Sequence, residues 1–298
     1  MSRRTLVLAA AAGAALAAHR RAFPGYATSD LTGRTAVVTG AGSGIGRSLA
    51  VLLASRGAAV HVVDVDLARA QAVADQVGGT AHQVDVSDAA AVQALADAVF
   101  AAGPVDLLFN NAGIGHAGAV ADTTLEDWQR LVAVNVMGVV HGVHAFLPRL
   151  LAQDRRSVIV NTASMAGLVP AAGMVPYATT KSAVVGMSEA LDREVVGRGV
   201  RVHALCPGVI ATDIIRTSTM RGDWADRQAG ITGLYATRGT SPDVVARQAL
   251  AAVAAGRNVI ATPRYQVVPP WLVKRLSPSV GAALSSRLVN GMAGSTSS

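Results

Sequence analysis

Residues 39–46 read Thr39-Gly40-Ala41-Gly42-Ser43-Gly44-Ile45-Gly46, at the end of a β-branched run over 35–39 and at the start of a helical pattern over 44–56. Glycines at 40, 44 and 46 permit a tight turn, approach of backbone to a diphosphate, and close helix packing. The helix N-terminus adds free N–H groups and positive partial charge. Standing alone, such a turn is an ordinary strand–helix connection. Placed after the first strand, it predicts a dinucleotide-binding turn.

Outward from that turn the chain alternates short apolar runs with longer helical stretches. Strands are predicted at 35–39, 59–64, 80–84, 105–110, 157–162, 200–205 and 258–261, and helices at 44–56, 67–77, 88–102, 125–153, 175–198 and 242–255. Such alternation builds right-handed βαβ crossovers, and strands apolar on both faces suit a parallel sheet covered on both sides. The expected fold is α/β: a doubly wound, Rossmann-like domain over residues 30–262, with a mainly parallel sheet of seven strands flanked by helices.

Candidate site residues fall at the C-terminal ends of these strands, where open α/β sheets place their ligands. Asp64 ends the second strand about 20 residues past the glycines, where an acid accepts hydrogen bonds from ribose hydroxyls and repels a 2′-phosphate. Neither 43 nor 65 is Arg or Lys, so NAD is favoured over NADP; as a plain alternative, Asp64 and Asp66 serve the start of the next helix. Asp85-Val86-Ser87 follows strand three, where Asp85 is equally readable as a turn residue beside a Ser87 cap. Asn110-Asn111-Ala112-Gly113 follows strand four. Tyr177 and Lys181 stand four apart on a helix and share a face, so a cation lies near a phenol whose unperturbed pKa of about 10 makes it a poor base at neutral pH. A solvated helix face is the commoner meaning of Tyr-x-x-x-Lys in isolation. Here Ser164, at the end of the fifth strand region, reaches the same place.

Together these residues resemble the classical short-chain dehydrogenase/reductase family over residues 31–262. Thr39 to Gly46 match its TGxxxGIG, Asn110 to Gly113 its NNAG, and Tyr177 to Lys181 its YxxxK; Ser164 lies 13 residues before the tyrosine. Asn135 matches the family's helix-four asparagine, and Pro207-Gly208 with Thr212 its PG motif and nicotinamide-contacting threonine. The resemblance implies Tyr177 as general acid/base, with Lys181 lowering its pKa and holding the nicotinamide ribose. It implies Ser164 on the substrate oxygen and Asn135 holding a water of a proton relay. It also implies a homodimer or homotetramer formed through helices four and five. The reaction expected is hydride transfer between NAD and a hydrophobic secondary alcohol or its ketone. The alternatives are an NADPH-dependent carbonyl reductase and a non-catalytic, cofactor-binding regulatory protein; the intact Asn135, Ser164, Tyr177 and Lys181 set opposes the last.

Composition bounds the other classes. Of 298 residues 51% are hydrophobic and 15% charged, with 30 Gly and 4% aromatics, which suits helix-on-sheet layers. A lone Cys206, read as packing rather than nucleophile, excludes an internal disulfide framework. It and the seven histidines show no metal-ligand spacing, so no metal is expected. His116, His141 and His144 are read as ordinary loop or helix residues, with the substrate entrance as the alternative for His116. The net charge of +7 is not a nucleic-acid signature: residues 1–29 and 244–298 carry basic residues and no acid, leaving a slightly acidic body.

Residues 5–18, TLVLAAAAGAALAA, lie between Arg3-Arg4 and His19-Arg20-Arg21, and are short of the roughly 20 needed to span a bilayer. An export signal, a short anchor and a surface helix all fit. The favoured reading is a cytoplasmic protein held at a membrane surface by residues 1–29, with export as the alternative. Residues 213–240 are expected to be a lid loop with Thr217, Met220, Trp224, Ile231 and Leu234 as its apolar side. Residues 263–298 are expected to be a basic amphipathic tail whose Trp271, Leu272, Lys274 and Arg275 add a second membrane contact.

Overall fold

The computed structural model describes residues 26–281 and 283. The run at 5–18 and the end of the tail lie outside the described residues.

The strands are β1 (Thr35–Thr39), β2 (Ala59–Asp64), β3 (Thr80–Gln83), β4 (Leu107–Asn110), β5 (His116–Ala117), β6 (Ser157–Thr162), β7 (Val200–Pro207), β8 (Thr219–Met220) and β9 (Val259–Thr262). Seven of them form one parallel sheet in the order β3-β2-β1-β4-β6-β7-β9. Successive side chains of a strand point to opposite faces. Ala36 and Val38 therefore enter one buried layer and Val37 the other. Both layers are apolar, and for that reason the strands read as near-continuous hydrophobic runs.

The helices are α1 (Gly44–Ser55), α2 (Leu67–Val77), α3 (Ala89–Ala102), α4 (Leu125–Ala152), α5 (Met165–Leu168), α6 (Val175–Val195), α7 (Ile214–Thr217), α8 (Asp223–Asp226), α9 (Gln228–Arg238), α10 (Pro242–Ala254) and α11 (Arg264–Leu276). α1, α2 and α10 cover the first layer, through Leu49, Val73 and Leu250. α3 and α4 cover the second, through Leu95, Phe146 and Leu150. α4 is long and apolar enough to cross a membrane, yet it lies on the sheet with Phe146 and Leu150 fully buried. The order reverses where β1 neighbours both β2 and β4, and this switch point opens a crevice at the strand C-termini.

The elements match the sequence reading closely, with five departures. α3 is capped by Asp88, whose carboxylate accepts from the N–H groups of Ala90 and Ala91, and not by Ser87. α4 is continuous but carries one π-turn at Ala133–Met137. Residues 213–240 are not an irregular loop; they hold α7, α8, α9 and the two-residue strand β8, paired to β5. The tail past 262 begins as α11, whose Val267 is fully buried and whose Trp271 packs on the core. Tyr26 and Thr28, placed by sequence in the extension, belong to the body: Tyr26 is buried, and the Thr28 hydroxyl donates to the Leu250 carbonyl at 3.1 Å.

Candidate active site

The crevice is a cleft of about 1390 Å³ that runs from Asp64, Asp85 and Val86, past the glycine turn, to Ser164, Tyr177 and Lys181. Gly40 has φ +61°, and a side chain there would bring its Cβ to 2.8 Å from the Ala112 backbone. At Gly46 a Cβ would lie 2.6 Å from the Asn111 amide and run into the Gly40 carbonyl. The turn is thus packed directly on the segment after β4. Thr39 fastens that contact: its hydroxyl oxygen accepts from the N–H groups of Asn111 (2.9 Å) and Ala112 (3.0 Å). Asn111 in turn donates to the Thr39 carbonyl at 3.0 Å, and Thr162 donates to the Asn111 amide oxygen at 3.3 Å.

These residues fit a dinucleotide. Ser43 sits at the N-terminus of α1 without forming a side-chain cap, and Ser43, Gly44 and Ile45 line the cleft there, so the helix end is open to a diphosphate. The Asp64 carboxylate is buried at the end of β2, and its two oxygens accept from Gly42 N–H (2.9 Å) and Asp66 N–H (3.1 Å). It is thereby oriented on the cleft wall, while Asp66 caps α2. Asp85 holds Ser87 through its N–H (2.9 Å) and hydroxyl (2.7 Å) and lines the cleft beside Val86. Pro207, Gly208 and Thr212 line the opposite side, with Val209 N–H donating to Gln266 of α11 at 2.9 Å.

At the far end, Tyr177 and Lys181 are one turn apart on α6, both buried. The Lys181 ammonium donates to the Thr162 carbonyl at 3.0 Å and stands 5.9 Å from the Tyr177 ring centroid. Burial pushes the Lys181 pKa down to about 8. Burial also holds the Tyr177 phenol above its ordinary value, partly offset by its hydrogen bond with the Ser164 hydroxyl. Ser164 Oγ accepts from Ala166 N–H at 3.1 Å, which leaves its own proton for the phenol. Cys206 is buried behind them, its thiol pushed up to about 12 by burial, and is a packing group.

Asn135 sits in the π-turn, a feature that recurs at functional sites. Its Oδ1 accepts from Ile114 N–H at 2.9 Å, and its amide donates to the Ile114 carbonyl (3.0 Å) and the Thr180 hydroxyl (3.2 Å). Both donors are used, so its side chain ties the segment after Gly113 to α6.

Three features of the site were not singled out from sequence. Pro269, Pro270 and Val273 of α11 form a wall of the cleft, and Tyr235 of α9 lines it near Tyr177. Arg221 grips Asp127 at the head of α4 with two bonds of 2.8 Å. His116, whose alternative sequence reading was the substrate entrance, borders the cleft but is 2% exposed, with neither ring nitrogen hydrogen-bonded among the described residues; Asp127 Oδ2 is 3.9 Å away and burial lowers the His116 pKa.

A parallel doubly wound sheet, a glycine turn at its switch point and a Ser–Tyr–Lys cluster at the other end of the same crevice define the dinucleotide-dependent dehydrogenase class of α/β proteins. Residues 34–221 match the short chain dehydrogenase family, and the chain belongs to it. It is 40% identical over 228 residues to "Probable oxidoreductase EphD" of Mycobacterium tuberculosis, an alignment covering 72% of this chain and 38% of that one. The chain thus spans well under half of that relative's length. It is 41% identical over 190 residues to the D-threitol dehydrogenase of Mycolicibacterium smegmatis, covering 62% of this chain and 73% of the relative. Among solved structures, a short chain dehydrogenase/reductase from Burkholderia phymatum in complex with NAD superposes with a TM-score of 0.77 at 33% identity, covering 85% of this chain and 96% of that one.

Proposed function

We propose that the protein is an NAD-dependent oxidoreductase that interconverts a secondary alcohol of hydrophobic body and its ketone. The observation that carries this reading is the joining of Ser164, Tyr177 and Lys181 to Asp64 and the glycine turn by one cleft. When bound, the dinucleotide supplies the hydride acceptor or donor. The chain supplies the rest: in reduction the Tyr177 phenol gives its proton to the carbonyl oxygen, and in oxidation its phenolate takes the proton from the alcohol. Ser164 Oγ orients that oxygen, and the Lys181 ammonium stabilises the phenolate and holds the nicotinamide ribose. Asn135 keeps the segment after Gly113 in register with α6, its amide donors being committed to Ile114 and Thr180 rather than to a relay water. Gly40, Ser43, Gly44, Ile45 and Gly46 receive the diphosphate, Asp64 the adenosine ribose, and Asp85 with Val86 flanks the adenine end. Asn111, Ala112, Gly113, Pro207, Gly208 and Thr212 bracket the nicotinamide half. Met174, Leu234 and the α11 wall support an apolar substrate body.

Further readings follow from the surface. Leu125, Val132 and Met137 of α4 and Val175 at the head of α6 are exposed apolar residues, which supports a homodimer or homotetramer joined through these helices. On α11, Leu272 and Leu276 are exposed beside Arg275, which supports a second contact with a membrane surface on the cytoplasmic side. Two of the residues named for that contact are otherwise engaged: Trp271 packs inward and Lys274 donates to the Leu168 carbonyl at 2.8 Å.

The test is kinetic. Wild type should use NAD more efficiently than NADP, and Asp64→Ala should erode that preference by removing the charge that repels a 2′-phosphate. Tyr177→Phe should lose about 10²- to 10⁴-fold in turnover while NADH binding, followed by fluorescence, persists. Efficient NADP use by wild type would move the assignment to a carbonyl reductase, and near-normal turnover by Tyr177→Phe would end the acid/base role.

A further inference from the structure

Besides Tyr177 the cleft is lined by two further phenols, Tyr265, whose hydroxyl pairs with Thr240 and Gln266, and Tyr235. Tyr235 lies on α9, one turn after Ile231, whose side chain is 7% exposed and fixes that helix face against the body. Tyr235 lines the cleft together with Leu234, Met174 and the Pro269-Pro270 wall. The charge of an ionised Tyr177 helps to raise the Tyr235 pKa. The Tyr235 hydroxyl has no hydrogen-bond partner within the protein among the described residues. Two hydroxyls of the same segment that also line the cleft are spent on their own backbone: Thr217 Oγ1 donates to the Asp213 carbonyl and Ser218 Oγ to the Ile214 carbonyl. The Tyr235 hydroxyl is thus an uncommitted donor in the same cleft as the Ser164–Tyr177–Lys181 cluster.

We infer that Tyr235 is a substrate-positioning residue, and that the preferred substrate is a secondary alcohol or ketone bearing a second oxygen, a hydroxyl or carbonyl, which accepts a hydrogen bond from the Tyr235 hydroxyl while the first oxygen meets Ser164 and Tyr177. This rests on the oxidoreductase reading given above. Tyr177 and Tyr235 have different surroundings, and so different tasks. Tyr177 has Lys181 and Ser164 beside it, whereas burial pushes the Tyr235 pKa up to about 12. Tyr235 therefore keeps its proton at neutral pH and can donate it to a ligand oxygen. A donor in a chamber with apolar walls discriminates between ligands, because a ligand lacking the matching oxygen leaves the hydroxyl unpaired once water is displaced.

The probes are cyclohexanol and trans-1,2-cyclohexanediol, which share a ring and differ by one oxygen. Wild type should favour the diol in kcat/KM, and in Tyr235→Phe the ratio of diol to monoalcohol should fall by about tenfold, the effect of one net hydrogen bond. An unchanged ratio would overturn the inference. A second measurement does not depend on turnover: calorimetric binding of 2-hydroxycyclohexanone and of cyclohexanone to the NADH complex of Tyr177→Phe. The hydroxyketone should bind more tightly, and the difference should vanish when Tyr235→Phe is added; equal binding from the start is evidence against any role for Tyr235. Absence of turnover on every alcohol, with the binding difference intact, would remove the oxidoreductase reading and leave the Tyr235 contact standing.

Discussion

Lys181 shows how a single residue can oppose the stability of the body that holds it. Its ammonium is buried, bonded to one carbonyl, and its pKa falls from 10.5 to about 8. Between these two values the unfolded chain keeps a proton that the folded chain releases, so wild-type stability rises with pH across about 8 to 10.5. Below pH 8 both states are protonated and the full cost of burying the charge is present. Lys181→Met keeps the length of the side chain and removes the charge. It should raise the melting temperature of the cofactor-free protein by a few degrees at pH 7 and abolish turnover, and the gap from wild type should close as the pH approaches 10. Scanning calorimetry across pH 7–10 measures this; a less stable variant at pH 7 would show that the Thr162 bond outweighs the desolvation. At this scale the sequence was most informative about residues defined by spacing, namely Tyr177, Lys181, Ser164 and Asp64. It could not show Tyr235, because no fixed spacing links a residue of α9 to the end of β6; only the folded chain brings them to one cleft.

At the scale of elements, the alternation of apolar strands and amphipathic helices was legible because each period is local to one element. The π-turn that turns Asn135 toward Ile114 was not, since one extra residue in a helical turn leaves the amphipathic pattern of 125–153 intact. The helices of 213–240 were hidden for another reason. Their mixed composition has little hydrophobic periodicity, and their order comes from tertiary contacts. β8 pairs with β5, Arg221 N–H donates to the Ala117 carbonyl at 3.0 Å, and the Arg221 guanidinium grips Asp127. That ion pair holds the Asp127 carboxyl down to about 2, below its ordinary 3.8. Its contribution to holding the segment is present above about pH 4 and is lost as pH falls toward 2. With Arg221 42% exposed, the pair contributes on the order of 1 kcal/mol. Arg221→Ala should therefore speed amide exchange at Thr219 and Arg221 severalfold at neutral pH and raise the KM for the alcohol. Exchange rates equal to wild type would assign the ordering of the segment to the β5–β8 pairing alone.

For the whole molecule, the proposed anchoring by residues 1–29 is open to a direct test. Fractionation should find the full chain with membranes at low salt and a chain beginning at Ser29 mostly in the supernatant; equal partition would end the anchoring reading, and a shortened N-terminus in an exported fraction would favour a signal. The body itself has a less obvious property, set by the bond from Thr28 to Leu250, which joins residues 222 apart in sequence. The core layer beneath β1 and β2 includes Tyr26 and Leu31 at one end of the chain and Val245, Leu250 and Val253 at the other. At about 5–20 residues per second, a ribosome takes roughly 10–45 s to deliver α10 after Thr28 has emerged. Throughout that interval the apolar layer formed by β1, β2, α1 and α2 lacks the part of its cover that α10 supplies, and the nascent chain exposes that surface. Translation rate, and not only sequence, then sets how much of this protein reaches its native state.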